Sequence, residues 1–294
     1  MRIASLLPAA TEIVGALGLV DDLVAATYEC DEPADVRERC AVVVDTALPA
    51  GLDPAGVDAV VRDRAARGLP LYELDRAALA EAAPDLILTQ DLCRVCALPS
   101  GEVAAALAAI GSDAEVVEID PHTVDEVLDA IGTVAARAGN TAAGVALVAE
   151  LRARLAAVAT AVAGRERPRV LLLEWTDPPY VPGHWVPELV RLAGGTAAAG
   201  TEGARSIAVT WDDVAALGAD LTIVAPCGFG LDDAVTQGRA VLDGLPPGPV
   251  VAIDSASYVV RGGPRLVDGV EALASVLHPG AVPEPPPGRV SRLR

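Results

Sequence analysis

The chain alternates between short apolar runs and longer segments in which the apolar residues have the spacing of a helix. Runs such as Leu86–Thr89 and Leu221–Val224 are typical of strands buried on both faces of a sheet. Segments with apolar residues three and four positions apart, such as Val124–Ala138, are typical of helices. A glycine follows this segment and marks the end of the predicted helix. Because strand, helix and glycine recur in this order, an α/β fold with parallel sheets is predicted.

The alternation begins twice along the chain. In the first half, strands are predicted at Arg2–Leu7, Leu23–Ala26, Leu86–Thr89 and Glu115–Ile119, with helices at Ala9–Leu17, Val57–Arg67, Gly101–Ile110 and Val124–Ala138. After Pro168, strands are predicted at Arg169–Trp175, Leu221–Val224 and Val250–Ile253, with helices at Val186–Gly195, Trp211–Leu217 and Arg265–Leu277. The repeated plan predicts two α/β lobes.

Between the halves, residues 141–164 form one strong helical pattern of about 24 residues, which would extend roughly 36 Å. This helix could bridge two lobes or be an ordinary packing helix. We predict an N-terminal α/β lobe at 1–140, a connecting helix at 141–164 and a C-terminal α/β lobe at 165–279. The Pro-rich segment 280–294 has few apolar residues and is predicted to be disordered.

Charge and hydropathy exclude several classes of partner. The formal net charge is -19 and no basic cluster is present, which argues against nucleic acid or an anionic membrane surface as a partner. No apolar run approaches the ~18 residues that span a bilayer, so the protein is not expected to be membrane-embedded. The amino terminus lacks the features of a secretory leader, which predicts a cytoplasmic protein, or a periplasmic or extracellular one if a leader was removed.

Thiols follow two of the predicted strands. Cys93 and Cys96 form a CxxC pair after Leu86–Thr89, and Cys227 follows Leu221–Val224. Parallel strands deliver ligand-binding groups at their carboxyl ends, so these thiols are expected to face one shared crevice. Together with Cys30 they could bind a soft metal ion, carry out thiol redox chemistry, or act as small buried apolar groups.

Aromatic residues are few, but most of them fall at predicted strand ends. The chain has three Trp, four Tyr and one Phe. Those at or near strand ends are Tyr28, Trp175, Tyr180, Trp185, Phe229 and Tyr258. Such placement predicts a cleft that covers a flat, partly apolar ligand. The alternative is a structural role, as a core anchor at the start of a helix for Trp185 and as packing residues for Trp175 and Tyr180.

No catalytic arrangement can be identified, so an enzyme is not indicated. The three histidines, His122, His184 and His278, lack the spacing of a His-rich metal receptor. The glycines of GGPRLVDG lack the spacing of a phosphate-binding loop.

Several longer strings carry a family resemblance: SLLPAATEIVGALGL, TYECDEP, APDLILTQDLCRVCAL, LEWTDPPYVPGHWVPELVRLAGG, APCGFGL and RGGPRLVDGVEAL. The chain resembles the cobalamin-binding, helical-backbone (class III) family of ABC-transporter substrate-binding proteins. The resemblance implies two Rossmann-like lobes with parallel sheets, joined by one long rigid helix. It also implies non-catalytic binding of cobalamin or a related corrinoid in the cleft between the lobes, by an ABC-importer protein or a cytosolic homologue.

The resemblance further implies which residues bind the small-molecule ligand. Rings would cover the corrin, while amides and backbone groups would bond its carboxamides. The implied residues are Pro8, Ala10, Thr11, Glu29, Cys30, Gln90, Asp91, Leu92, Cys93, Cys96, Trp175, Tyr180, Trp185, Cys227, Gly228, Phe229, Tyr258 and Arg261.

An ABC permease is the macromolecular partner that the family implies. Members that dock on a permease resemble one another in a surface Glu on each lobe, and the matching positions here are Ala77 and Asp212. The alternative hypothesis is a cysteine-dependent metal-binding protein or enzyme, with a thiolate-bound metal held by Cys30, Cys93, Cys96 and Cys227.

Overall fold

The computed structural model describes residues 1–90 and 100–294, which divide into two compact units. The N-terminal lobe comprises Met1–Pro121 and Val127–Ala149, and the C-terminal lobe comprises His122–Glu126 and Glu150–Arg294. Each lobe has its own parallel sheet, so the predicted α/β class with two Rossmann-like lobes is confirmed.

The N-terminal lobe begins with a strand and then alternates strands and helices. Its elements and the long helix that follows them are β1 (Ile3–Ser5), α1 (Pro8–Ala16), β2 (Leu23–Thr27), α2 (Val36–Arg39), β3 (Ala41–Thr46), α3 (Pro54–Ala66), β4 (Tyr72–Leu74), α4 (Arg76–Ala82), β5 (Leu86–Thr89), α5 (Ser100–Ile110), β6 (Glu115–Glu118), α6 (Val124–Arg137) and α7 (Thr141–Val162).

The sheet of this lobe has the strand order β4-β3-β2-β1-β5-β6. All of its pairs are parallel except β3 with β4, which is antiparallel. The central strands β1 and β5 are buried along their whole length, as expected for apolar runs covered on both faces. The sequence analysis did not predict β3, although it contains the apolar run Ala41–Val44, and it did not predict β4, which has only three residues.

The C-terminal lobe repeats the plan and adds a small antiparallel sheet. Its elements after α7 are β7 (Arg169–Leu173), β8 (Trp175–Thr176), β9 (Pro179–Val181), α8 (Val186–Leu192), β10 (Thr196–Ala197), β11 (Ile207–Ala208), α9 (Trp211–Ala216), β12 (Leu221–Val224), α10 (Leu231–Ala240), β13 (Val250–Ile253), α11 (Ser255–Tyr258), α12 (Leu266–Leu277) and β14 (Val290–Arg292).

The C-terminal lobe contains two sheets. The main sheet has the order β10-β7-β12-β13-β14, and the small sheet has the order β11-β9-β8. The predicted strand Arg169–Trp175 is therefore divided: β7 enters the main sheet, and Trp175 begins β8 of the small sheet. The core beneath includes Leu171, Leu173 and Val181.

The long helix α7 contributes residues to both units, and each part makes contacts within its own unit. Near its start, Gly144 lies so close to α6 that an added Cβ would come within 2.3 Å of the Ala135 Cβ. Further along, the guanidinium of Arg154 pairs with Asp268 and Glu271 on α12. Gly144 is therefore required by close helix packing, although glycine is a poor helix former.

The prediction that residues 280–294 are disordered is wrong for the end of the chain. Residues Val290–Arg292 form β14, which pairs antiparallel with β13. The guanidinium of Arg289 bonds the buried carboxylate of Asp254 and the Ser257 hydroxyl. Composition could not reveal this strand, because it is held by backbone pairing to an open sheet edge and not by an apolar face.

Within the described residues, no helix has both the length and the apolar character to cross a bilayer.

Arg289 is predicted to stabilise the C-terminal lobe. Substitution Arg289→Met leaves Asp254 buried without its guanidinium and should lower the free energy of unfolding by about 1–3 kcal/mol. The control is Arg292→Met in the same strand, whose exposed guanidinium bonds only the terminal carbonyl among the described contacts. Urea denaturation measures both, and equal effects of the two substitutions would contradict the role given to Arg289.

Candidate functional site

The carboxyl ends of β7 and β12 lie side by side in the main sheet of the C-terminal lobe. These strands are parallel neighbours, with Leu173 opposite Val224. The contact continues into the following loops, where the Ala225 N–H donates to the Leu173 carbonyl and the Cys227 N–H donates to the Glu174 carbonyl, both at 2.9 Å. The segments after the two strands are therefore held together by the sheet that precedes them.

Three half-buried aromatic rings lie at this edge. The Trp175 and Phe229 rings contact each other, with centroids 5.7 Å apart and planes tilted by 47°. Tyr180 on β9 is the cross-strand partner of Trp175 on β8, so both side chains project from the same face of the small sheet. The Trp175 indole N–H donates to the Asp177 carbonyl at 3.1 Å, which orients the ring. We call Trp175, Tyr180 and Phe229 the aromatic platform.

The other two rings predicted for the C-terminal side of the site belong to the core. Trp185 is 5% exposed, and its indole N–H donates to the Val259 carbonyl at 2.8 Å. Tyr258 is also buried, with the Arg289 guanidinium over its ring. The burial of Trp185 fits the alternative in which it is a core anchor at the start of a helix, and in this structure neither ring exposes a face. Arg261 is half-buried.

In the N-terminal lobe, Cys30 lies inside a buried hydroxyl network. Its thiol is 3.0 Å from the Thr11 hydroxyl and 3.5 Å from that of Thr27, and the Thr11 hydroxyl donates to Ser5. Cys30, Thr11 and Ala10 are buried, so in this structure they support the loops that follow β1 and β2 and present no surface to a ligand. Thus, of the three readings of the thiols, a small buried group fits Cys30.

The remaining residues predicted for this lobe keep part of their surface exposed. Pro8 opens α1, Gln90 follows β5, and Glu29 follows β2. The Glu29 carboxylate accepts a hydrogen bond from the Tyr28 hydroxyl at 3.1 Å. Burial and the Glu29 charge raise the pKa of Tyr28 to about 12, so its phenol stays neutral. Asp91, Leu92, Cys93 and Cys96 lie outside the described residues.

The thiolate-metal hypothesis gains no support from the part of the chain that is described. Cys227 and Gly228 form an exposed turn after β12, with Gly228 in the left-handed region at φ +80°. No group of three or more His, Cys, Asp or Glu side chains converges within the described residues.

Glu174, directly before Trp175, was not identified from the sequence. Its carboxylate accepts hydrogen bonds from the Ser206 hydroxyl and the Gly183 N–H, and both bonds lower its pKa. Burial has the larger effect and raises the pKa of Glu174 to about 7, because a charged carboxylate is poorly solvated among protein atoms. The sequence carried only a weak signal for this residue, a carboxylate at the end of an apolar strand.

The chain matches a known protein family. Residues 3–241 match the model of the family described as "Periplasmic binding protein". The chain belongs to this periplasmic binding protein family, and its fold is that of the class III members. No match was found among curated proteins.

Solved structures share the fold along nearly the whole chain. The periplasmic heme-binding protein RhuT from Roseiflexus sp. RS-1 is 22% identical, with a TM-score of 0.70, over 95% of this chain and 98% of that one. The vitamin B12 binding protein BtuF of Vibrio cholerae is 23% identical, with a TM-score of 0.67, over 94% and 96%. A periplasmic heme-binding protein from Pseudomonas aeruginosa is 20% identical, with a TM-score of 0.71, over 100% and 98%.

Glu174 is predicted to make stability depend on pH. Its folded-state pKa of about 7 lies above the usual glutamate value of 4.5, so its contribution to the free energy of unfolding is full below pH 4.5 and is lost as the pH rises through about 7. Glu174→Gln should remove this loss and raise the free energy of unfolding at pH 8 by up to about 3 kcal/mol. Urea denaturation at pH 5 and pH 8 measures the effect.

Glu202→Gln is the control, since this carboxylate is exposed in the same lobe and pairs with Arg191. It should change stability by less than about 1 kcal/mol at either pH. A Glu174→Gln protein that gains nothing between pH 5 and pH 8 relative to the parent would contradict the raised pKa.

Proposed function

We propose that this protein binds a tetrapyrrole macrocycle without catalysing a reaction, and that a corrinoid is its ligand. The observation that carries the proposal is the aromatic platform. Flat rings bury much apolar area and lose little entropy on binding, so Trp175 and Phe229 suit the face or edge of a large planar ligand.

The fold neighbours support the class of ligand. Two of them are described as heme-binding and one as binding vitamin B12, and both of these ligands are tetrapyrrole macrocycles. Their likeness to this chain is at the level of the fold, so the choice between the two ligands rests on the chemistry of this chain.

Electrostatics favour a corrinoid over haem. The chain carries a formal net charge of -19, and the platform residue Trp175 is flanked along the chain by Glu174 and Asp177. Haem carries two propionate carboxylates, which this acidic protein would repel, whereas the periphery of cobalamin carries neutral carboxamides. Backbone groups of the exposed Cys227–Gly228 turn suit hydrogen bonds to such amides.

An ABC permease partner and small-molecule binding both fit the family. Asp212 is exposed in the first turn of α9 and supplies one carboxylate for docking. Ala77 is exposed in the first turn of α4 and supplies none. A role as a soluble corrinoid-binding homologue is therefore part of the proposal. The cellular compartment and the position of the ligand between the lobes stay predictions of the sequence.

The proposal predicts selective binding in a ligand panel. Calorimetric titration of the full chain with cyanocobalamin, dicyanocobinamide, hemin and a ferric siderophore should show one-site binding of a corrinoid and weaker or no binding of the others. Binding of hemin alone would overturn the choice of corrinoid, and binding of neither macrocycle would overturn the tetrapyrrole class.

Trp175→Ala and Phe229→Ala are each predicted to weaken corrinoid binding by about 30-fold, which corresponds to about 2 kcal/mol for the loss of a buried aromatic contact. The control is Trp211→Ala, another half-buried tryptophan of the same lobe, which packs against Gly244. Circular dichroism checks that each variant is folded. Corrinoid affinity equal to that of the parent in both platform variants would exclude the platform as the binding surface.

A further inference from the structure

Two of the three histidines in the chain contact each other in the C-terminal lobe. His122 lies just before α6 and His184 just before α8, in segments that are far apart in the sequence. Their ring centroids are 5.7 Å apart, with planes tilted by 48°. Both residues are half-buried, so the rings are held in place but remain accessible to solvent.

The backbone around His184 fixes the position of its ring. His184 has φ +50°, an uncommon conformation for a residue with a side chain. Its N–H donates to the Ala204 carbonyl at 2.5 Å, and its carbonyl accepts from the Gly203 N–H at 2.8 Å. At Gly183 an added Cβ would come within 2.4 Å of backbone atoms of residues 204–206. Conformations of this kind persist where surrounding contacts determine them, and they cluster at functional sites.

The imidazole of His184 is held in position by packing against other rings. In the described part of the structure, this ring contacts His122 and Trp185 and makes no side-chain hydrogen bond. A nitrogen lone pair of His184 is therefore available for coordination.

The separation of the rings is near that of two imidazoles on one ion. Zinc–nitrogen bonds of about 2.0–2.1 Å would place the centroids of two imidazoles on a tetrahedral ion roughly 5 Å apart, slightly closer than the 5.7 Å observed. We propose that His122 and His184 together bind one divalent transition-metal ion, with copper(II) preferred over nickel(II) and zinc(II).

This preference follows from the Irving–Williams order for nitrogen donors. Since no third His, Cys, Asp or Glu converges on the pair among the described residues, the ion keeps positions for water or for a donor atom of another molecule. The site does not involve the residues of the aromatic platform, so metal binding can be tested independently of corrinoid binding.

The test uses untagged full chain in a Cys93→Ser, Cys96→Ser and Cys227→Ser background, which removes thiols that compete for soft metals. The two other thiols can stay: Cys30 is buried, and burial raises the pKa of Cys40 to about 11. After removal of metals with a chelator, the protein is titrated with Cu²⁺, Ni²⁺ and Zn²⁺. Calorimetry measures stoichiometry, and tryptophan fluorescence reports on Trp185, whose ring centroid lies 6.1 Å from that of His184.

The variants are His122→Gln and His184→Asn, because asparagine tolerates the left-handed backbone at residue 184. The control is His278→Gln, which alters the third histidine, whose ring bonds the Gly194 carbonyl. We expect one Cu²⁺ per chain, quenching of fluorescence and nitrogen splitting in the electron paramagnetic resonance spectrum. Both site variants should lose these signals, and the His278→Gln protein should keep them.

Two outcomes would overturn the proposal: no saturable Cu²⁺ binding by the background protein, or binding of unchanged stoichiometry and affinity in both site variants. If the His184→Asn protein fails to fold, the result for the His122→Gln protein alone tests the proposal. This variant is expected to fold, because residue 122 precedes a helix and is only half-buried.

Discussion

The site in the C-terminal lobe depends on the parallel pairing of β7 with β12. Their register places Leu173 beside Val224, and the backbone bond from Cys227 to the Glu174 carbonyl extends the pairing beyond the strands. The residues that follow the two strands must therefore lie together, although about fifty positions separate them in the chain. The Trp175–Phe229 ring contact is a direct consequence of this backbone constraint.

The small sheet adds a third aromatic ring, Tyr180, to the Trp175–Phe229 contact. The chain leaves β7 at Glu174 and enters the hairpin of β8 and β9, which places Tyr180 opposite Trp175. Glu174, at the junction of the two sheets, is held by Ser206 and Gly183, and burial raises its pKa to about 7. The same loops fix His184 against His122, so one closely packed region holds a carboxyl group and two imidazoles in defined positions.

Sequence patterns predicted the features that depend on continuous apolar runs. The strands Leu86–Thr89, Leu221–Val224 and Val250–Ile253 have the predicted bounds because they are buried central strands. The strand β3 was missed although Ala41–Val44 is an apolar run, and the edge strand β14 was missed because backbone pairing holds it without such a run. Placement near strand ends drew attention to Trp175 and Phe229, but it could not separate them from Trp185, which is buried and donates to the Val259 carbonyl. The contact of His122 with His184 could not be predicted from the spacing of the two residues along the sequence.

The most direct test of the proposed platform is a crystal structure of the protein grown with cyanocobalamin. The account predicts that atoms of the corrin ring lie within about 4 Å of the Trp175 or Phe229 ring, which is the range of apolar contact. A corrin bound elsewhere on the protein, with both rings still open to solvent, would contradict it.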